Sequence, residues 1–399
     1  MKRNESWRNS ANLKGLLASL MIGFAAVAIG GTNSPPDEGA LCARALTAKG
    51  DWVRLHRQLD RARRGERIVI GVIGGSITQG ATASAPEKCY GNRVAAWWRE
   101  QFAASKVEFV NAGIGATGSD YGALRAERDL LAQKPNFVIV EYAVNDGNKQ
   151  ICAETLEGLL RQILKQANQP AVLLLFMMHR DGRNAQGWFS KVGSHYGLPM
   201  ISYRDALWPE IEAGRMQWAD ISPDEVHPND RGHGYAARFV TDLLDQALRS
   251  LRAVETNRPI PSLPVSLLTD LFEQVRLAEA NSLNPLANNG WLHDTRDGCW
   301  KSHQPGSTIE FEIEGRAILT MHYVLRGPMG RARVSVDGVT VQELEGWFDQ
   351  TWGGYRKTRV VARDLAAGSH RVRFELLPDK NAQSTGHEFR ILGLGAAGN

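Results

Sequence analysis

The chain has 399 residues, of which 43% are hydrophobic and 23% charged, and it carries a formal charge of +4. That length exceeds one ordinary hydrophobic core, so two domains are expected, and the composition excludes a disordered or fibrous chain. The small net charge, with no basic run interleaved with aromatics, argues against a nucleic-acid partner. Eleven tryptophans are numerous for this size, which favours aromatic binding surfaces, although most should be core.

In chain order, Lys2, Arg3, Arg8 and Lys14 precede an apolar stretch from Leu16 to Ile29, followed by small residues. This is the charged, apolar and small-residue order of a secretory signal, expected over residues 1–31, and the protein is read as periplasmic or secreted. The stretch is short against the roughly 20 residues of a membrane span, and an uncleaved anchor is the alternative. A flexible leader follows to about residue 45, within a segment 32–66 that also holds an N-terminal helix. Cys42, Cys89, Cys152 and Cys299 then fall in an oxidising compartment, where four thiols allow three pairings. Cys89 and Cys152 each follow a presumed strand end, so a bridge between them is expected; four free, buried thiols are the alternative. None has zinc-ligand spacing, and no metal or organic cofactor is expected.

From Arg67 to about Leu251 short apolar runs alternate with amphipathic segments. The runs are Ile68–Ile73, Val107–Asn111, Phe137–Tyr142, Val172–Met177 and Met200–Tyr203. Helix-like segments lie near Tyr90–Ala104, Tyr121–Gln133, Ala153–Ala167, Ala185–Tyr196 and Arg231–Leu251. This order predicts an α/β domain over residues 67–256, a parallel sheet with helices on both faces. Ligands of such sheets bind beyond the carboxyl ends of the strands. A proline-rich linker at 257–264 leads to a helix-like connection over 265–290. Beyond Trp291 the period changes to two, in Ile309–Ile313, Ala332–Val336, Val339–Val341, Thr358–Val361 and Arg371–Leu376. Asp337-Gly338 and Ala366–Ser369 read as hairpin turns, so residues 291–399 are expected to form an all-β sandwich.

The chemistry-bearing residues cluster at the predicted strand ends. Ser76, in Gly75-Ser76-Ile77-Thr78, follows the first strand and opens a helix, where free backbone N–H groups can stabilise an oxyanion. The plain alternative is a helix cap. His227 can accept and return a proton, and Asp224, three residues earlier in a proline-flanked loop, can hold its ring. Asn145 ends the third strand and can donate to a developing alkoxide; ordinary turn chemistry is its alternative. The turn from Asn111 to Thr117 offers glycine-flanked backbone donors to the same point. Trp347, Trp352 and Tyr355 read either as a stacking platform for sugar rings or as core and seam.

Ser76, the glycine turn after Asn111, Asn145 and the Asp224–His227 pair, in that chain order, resemble the blocks of the SGNH or GDSL-like hydrolases, over about residues 67–251. The resemblance implies a three-layer α/β/α fold with Ser76 as nucleophile and His227 as general base and acid, oriented by Asp224. It implies an oxyanion hole from the N–H of Ser76, an N–H at Gly115 or Ala116, and the Asn145 side chain. Two departures stand out. Gly75 replaces the acidic residue of the Gly-Asp-Ser form, and Ala116 stands where the oxyanion glycine aligns, a change that preserves the donor where φ is negative. With export and an appended carbohydrate-binding-like sandwich, the layout resembles carbohydrate esterases, which implies removal of a short acyl group, such as acetyl, from a polysaccharide or oligosaccharide. A polysaccharide O-acetyltransferase with the same triad, and a non-catalytic glycan-binding protein, are the alternatives; the sequence leaves the oligomeric state open.

Overall fold

The computed structural model describes residues 37–252 and 258–398. The expected secretory segment falls outside them. Among the described residues, no helix is long and apolar enough to cross a membrane.

The first part is built from helices α1 (Glu38–Ala45), α2 (Val53–Arg63), α3 (Ser76–Gln79), α4 (Tyr90–Gln101), α5 (Ser119–Asp129), α6 (Gln150–Leu164), α7 (Gln186–His195), α8 (Tyr203–Glu212) and α9 (Asp230–Ser250). Its strands are β1 (Leu46–Ala48), β2 (Ile68–Gly74), β3 (Val107–Gly113), β4 (Phe137–Glu141), β5 (Ala171–Phe176) and β6 (Met200–Ser202). They form one sheet in the order β1-β6-β5-β4-β2-β3. All pairs from β6 to β3 are parallel, and β1 adds antiparallel at the β6 edge. Every residue of β2, β4 and β5 is buried, which is why these strands read as unbroken apolar runs rather than alternating ones. Residues of α2, α4, α8 and α9 build the core on one face and those of α5, α6 and α7 the core on the other. This is the expected three-layer α/β/α arrangement.

The chain runs from β2 outward to β3, then crosses back over β2 to β4. A crevice opens at such a reversal, beyond the carboxyl ends of the strands. Ser76 stands at its base, two residues past β2.

The second part is the expected sandwich. Its strands are β7 (Val275–Glu279), β8 (Ala287–Asn289), β9 (Leu292–Asp294), β10 (Cys299–Ser302), β11 (Thr308–Glu314), β12 (Ala317–Val324), β13 (Arg331–Val336), β14 (Val339–Glu345), β15 (Tyr355–Ala362), β16 (Ser369–Leu376) and β17 (Phe389–Ala397). One sheet runs β15-β12-β17-β10-β9, with β7 also on β17, and the other runs β14-β13-β16-β11-β8. Alternate residues of β11, β13 and β16, such as Phe311, Val334 and Phe374, fill the space between the sheets. Asp337 and Gly338 both have positive φ, 52° and 81°, as the tight β13–β14 hairpin requires.

Four expectations need correction. The leader is ordered from Glu38, where α1 buries Leu41, Cys42 and Ala45 against the helical layer and Arg44 pairs with Glu210 at 2.5 Å. The connecting helix over 265–290 is absent, replaced by short turns and the strands β7 and β8. Its spaced leucines imitate a helical period, but the buried Glu157 carboxylate accepts the N–H groups of Leu267, Leu268 and Thr269 (2.5, 2.9 and 3.0 Å), and Val275–Glu279 pairs with β17. The turn Ala366–Ser369 is no hairpin, since it carries the chain from β15 in one sheet to β16 in the other. Finally, all four cysteines are free. Cys89 packs in the core on one face of the parallel sheet and Cys152 against the core on the other, so the sheet itself separates them.

The two parts share an apolar seam. Tyr121 and Leu124 of α5 meet Leu319 and Met321 of β12, with Phe272 and Leu392 alongside. Ion pairs between Arg363 and Glu154, and between Arg128 and Glu279, flank it.

Candidate active site

Ser76 is the first residue of α3, capped by Gly75, so its N–H has no partner within the helix. Its Oγ lies 2.8 Å from His227 Nε2, and His227 Nδ1 lies 2.8 Å from Asp224 Oδ2. The second oxygen of Asp224 accepts the N–H groups of Val226 (2.8 Å) and His227 (2.7 Å). Partial burial opposes ionisation of Asp224, yet the N–H donors of His227 and Val226 and the His227 ring outweigh it and hold the carboxyl below its ordinary range. An ionised Asp224 accepts from Nδ1–H, which leaves Nε2 free to take the Ser76 proton.

The loop carrying Asp224 and His227 is anchored on several sides. The Ser222 hydroxyl, a single donor, lies between the carbonyls of Asp224 (2.9 Å) and His227 (2.6 Å), and the Trp218 indole N–H reaches the Asp224 carbonyl at 2.5 Å. The Thr82 hydroxyl donates to the Pro228 carbonyl, and Asn229 caps α9 immediately afterwards. Across the cleft, Arg180 pairs with Glu225 at 3.0 Å, while His179 Nε2 lies 2.9 Å from the Val144 carbonyl next to Asn145. A single loop after β5 thus braces two of the four blocks, a role with no signature in the local sequence.

Of the remaining expected residues, Asn145 sits just beyond β4 with its amide against Gly75. Its Oδ1 is buried with no hydrogen-bond partner among the described residues. A Cβ on Gly75 would fall 2.0 Å from that Oδ1, so a larger residue there must displace the Asn145 amide.

The glycine turn also lies against Ser76, since a Cβ on Gly115 would come within 3.8 Å of the Ser76 Cβ. Two corrections concern this turn. The Gly115 N–H is taken by Gln79 Oε1 at 3.0 Å, so it is not a free donor. Ala116 has φ of +57°, not the negative value expected, so an alanine occupies the left-handed region that glycine favours. The clamp is built from side chains on both elements: Gln79 holds Gly115, and Asn111 bonds the Gly113 N–H at 2.8 Å and the Thr78 carbonyl at 2.9 Å. Neither Gln79 nor Asn111 was expected at the site; an amide beside each glycine turn is the signal that could have found them.

Ala116 and Asn145 open into a cavity of about 360 Å³ between α5, α6 and the sandwich strand β15. Asp120, Asp146, Lys149, Lys357 and Arg359 make it polar. Burial pushes Asp146 up to about 8, with Asp120 beside it adding to the shift, and burial pushes Asp120 up to about 6. Tyr355 lines the same cavity and stacks on Trp352, their rings 5.5 Å apart, with Phe348 packed edge-on to both. Trp352 is 59% exposed, whereas Trp347 is buried and presents no face to a sugar. Phe348 completes the aromatic group in its place. Among the described residues, no cluster of three or more His, Cys, Asp or Glu side chains is placed to hold a metal ion.

A parallel-sheet crevice with a hydroxyl, an imidazole and a carboxylate in line defines the class of SGNH serine hydrolases. Residues 72–235 match the model of the GDSL-like Lipase/Acylhydrolase family. A two-domain esterase (CEX) active on acetylated mannans has 31% sequence identity and a TM-score of 0.82, covering 90% of this chain and 98% of that one. The same esterase co-crystallised with mannopentaose gives a TM-score of 0.81. The Escherichia coli K12 thioesterase 1/protease 1/lysophospholipase L1 is 29% identical over 155 residues, 37% of this chain and 70% of its own. The chain belongs to the GDSL-like lipase/acylhydrolase family, in a two-domain form with a C-terminal β-sandwich.

Proposed function

We propose that this protein is an exported serine esterase that removes acetyl groups from a polysaccharide. The observation that carries the reading is the 2.8 Å and 2.8 Å relay from Ser76 through His227 to Asp224. Similarity along nearly the whole length of an esterase active on acetylated mannans supports the substrate class. The charged and apolar order of residues 1–31 supports export.

In the proposed reaction Ser76 Oγ adds to the ester carbonyl carbon while His227 Nε2 takes its proton. The oxyanion that forms is met by the N–H of Ser76, the N–H of Ala116 and the Asn145 amide. The intermediate collapses, His227 returns the proton to the departing sugar oxygen, and an acetyl-Ser76 ester remains. Water, deprotonated by His227, then releases acetate and restores the hydroxyl. Tyr355 on the sandwich borders the cavity that opens from Asn145, and exposed Trp352 stacks on Tyr355, a position suited to stacking against the sugar that carries the acetyl group. The charged lining of that cavity, with Asp120, Asp146, Lys149, Lys357 and Arg359, suits a polar sugar better than a long acyl chain.

Ser76→Ala should abolish release of acetate from acetylated mannan and from 4-nitrophenyl acetate while circular dichroism stays that of the wild type. Retained turnover in that variant would sink the reading. A preference for long-chain over acetyl esters would overturn the substrate class alone.

A further inference from the structure

Glu141 is a buried carboxyl that the proposed chemistry leaves unused. It ends β4 opposite Gly74, and its side chain is fully shielded from solvent. Its Oε2 lies 3.2 Å from the Thr78 hydroxyl, which in turn lies 2.8 Å from the Tyr90 hydroxyl. Thr78 stands on α3, two residues after Ser76. Oε1 has no hydrogen-bond partner among the described residues, and the buried Arg125 guanidinium is engaged by Asp129, the Gly74 carbonyl and the Tyr142 hydroxyl rather than by this carboxyl. A charged carboxylate here would be both desolvated and uncompensated, a cost the neutral acid avoids.

We propose that Glu141 is a positioning residue, a neutral carboxylic acid that fixes the Ser76 helix through Thr78 and Tyr90. In that form the three groups make one chain of hydrogen bonds tying β4, α3 and α4 together. Ionisation would leave the bond from Thr78 in place but set an unpaired negative charge beneath the turn where the oxyanion forms. The inference rests on Ser76 being the nucleophile.

Burial governs the ionisation of the whole neighbourhood. Burial pushes Glu141 up to about 8, against the opposing hydrogen bonds of Thr78 and the Ala143 backbone. Burial also raises the Tyr90 phenol, to which Glu141 adds, and holds His233, stacked on Tyr90, below its ordinary value. Cys89, beside Tyr90, is raised by burial as well. Asp146 on the loop after β4 is the other acid that titrates in this range.

The test compares wild type, Glu141→Gln, Glu141→Leu and Asp146→Asn with 4-nitrophenyl acetate across the alkaline range, alongside infrared detection of a protonated carboxyl. Wild-type kcat should fall about thirtyfold between roughly pH 7 and 9.5, as for ionisation of one essential acid. Glutamine keeps the bond to Thr78 and cannot ionise, so it should retain at least about a third of kcat at neutral pH and lose the alkaline fall. Leucine should lose roughly tenfold at all pH values, and Asp146→Asn should keep the wild-type fall. The infrared band should be present in neutral wild type, absent from Glu141→Gln, and lost in step with activity. An unchanged alkaline fall in Glu141→Gln, or no band in neutral wild type, would overturn the inference. The band can be read on wild type alone if the variants do not fold. Because the band requires no turnover, it also separates this inference from failure of the Ser76 assignment, which Ser76→Ala tests.

Discussion

Asn145 occupies the space that a side chain at Gly75 would need: its Oδ1 lies 2.0 Å from where the Cβ would stand. The residue before the candidate nucleophile and the candidate oxyanion donor are therefore one packing unit. Gly75→Ala must displace the Asn145 amide, and loss of one oxyanion donor costs about 10²–10³ in kcat. The expected pattern on 4-nitrophenyl acetate is a fall of that order with KM changed little. A Gly75→Ala enzyme of near wild-type kcat would show that Asn145 is not a donor.

Ala116 carries a strain that glycine would relieve. A left-handed L-residue costs about 1–2 kcal/mol, offset by the roughly 0.5–1 kcal/mol of chain entropy that glycine loses on folding. Ala116→Gly should thus be stabilising by up to about 1 kcal/mol in urea titrations, with the backbone donor and esterase activity retained. Clear destabilisation would mean that the alanine methyl makes a contact worth more than the strain.

The aromatic group on the sandwich should divide cleanly by burial. Exposed Trp352 faces a potential ligand, so Trp352→Ala should raise KM for acetylated polysaccharide about fivefold, equivalent to ~1 kcal/mol. Turnover of 4-nitrophenyl acetate should be unaffected. Buried Trp347 should behave differently: its truncation should cost ~3–5 kcal/mol of stability. Equal effects of Trp352→Ala on large and small substrates would refute the platform.

His322 supplies an acid-sensitive element in the sandwich. It is buried against Phe389, ring centroids 5.4 Å apart, and burial, with Lys357 and Arg359 nearby, holds it down at about 3. An unfolded imidazole takes its proton at about 6.5. Between those values the unfolded chain binds the extra proton, so the stability tied to the neutral ring is complete above about 6.5 and lost as pH falls toward 3. Urea midpoints should drop over that window, and less in His322→Gln. Parallel curves for the two proteins would exclude the ring as the cause.

Much of this was legible in the chain itself. Unbroken apolar runs at Ile68–Ile73 and Phe137–Tyr142 specify buried parallel strands, and the switch to alternation at Ile309–Ile313 specifies a half-buried sheet, because periodicity follows from which faces are covered. Ser76, Asn145 and the Asp224–His227 pair were legible because each sits at a strand end or in a stiff, proline-flanked loop. The Ser76–His227–Asp224 geometry fits the roles the sequence suggests. The helix expected over 265–290 was misleading because Glu157, more than a hundred residues away, supplies the acceptor for its backbone N–H groups.

What only the tertiary structure decided follows from contacts that no local pattern encodes. Which thiols can meet depends on the faces of a sheet: Cys89 and Cys152 lie on opposite sides of theirs. Which backbone N–H remains free at the glycine turn depends on Gln79, a side chain that arrives from α3. Whether Trp347 or Trp352 can meet a ligand depends on how the segment between β14 and β15 packs, burying one indole and leaving the other in solvent. Residue types and spacing determined the chemistry available at Ser76; the packing of distant segments decided which neighbouring groups are free to take part.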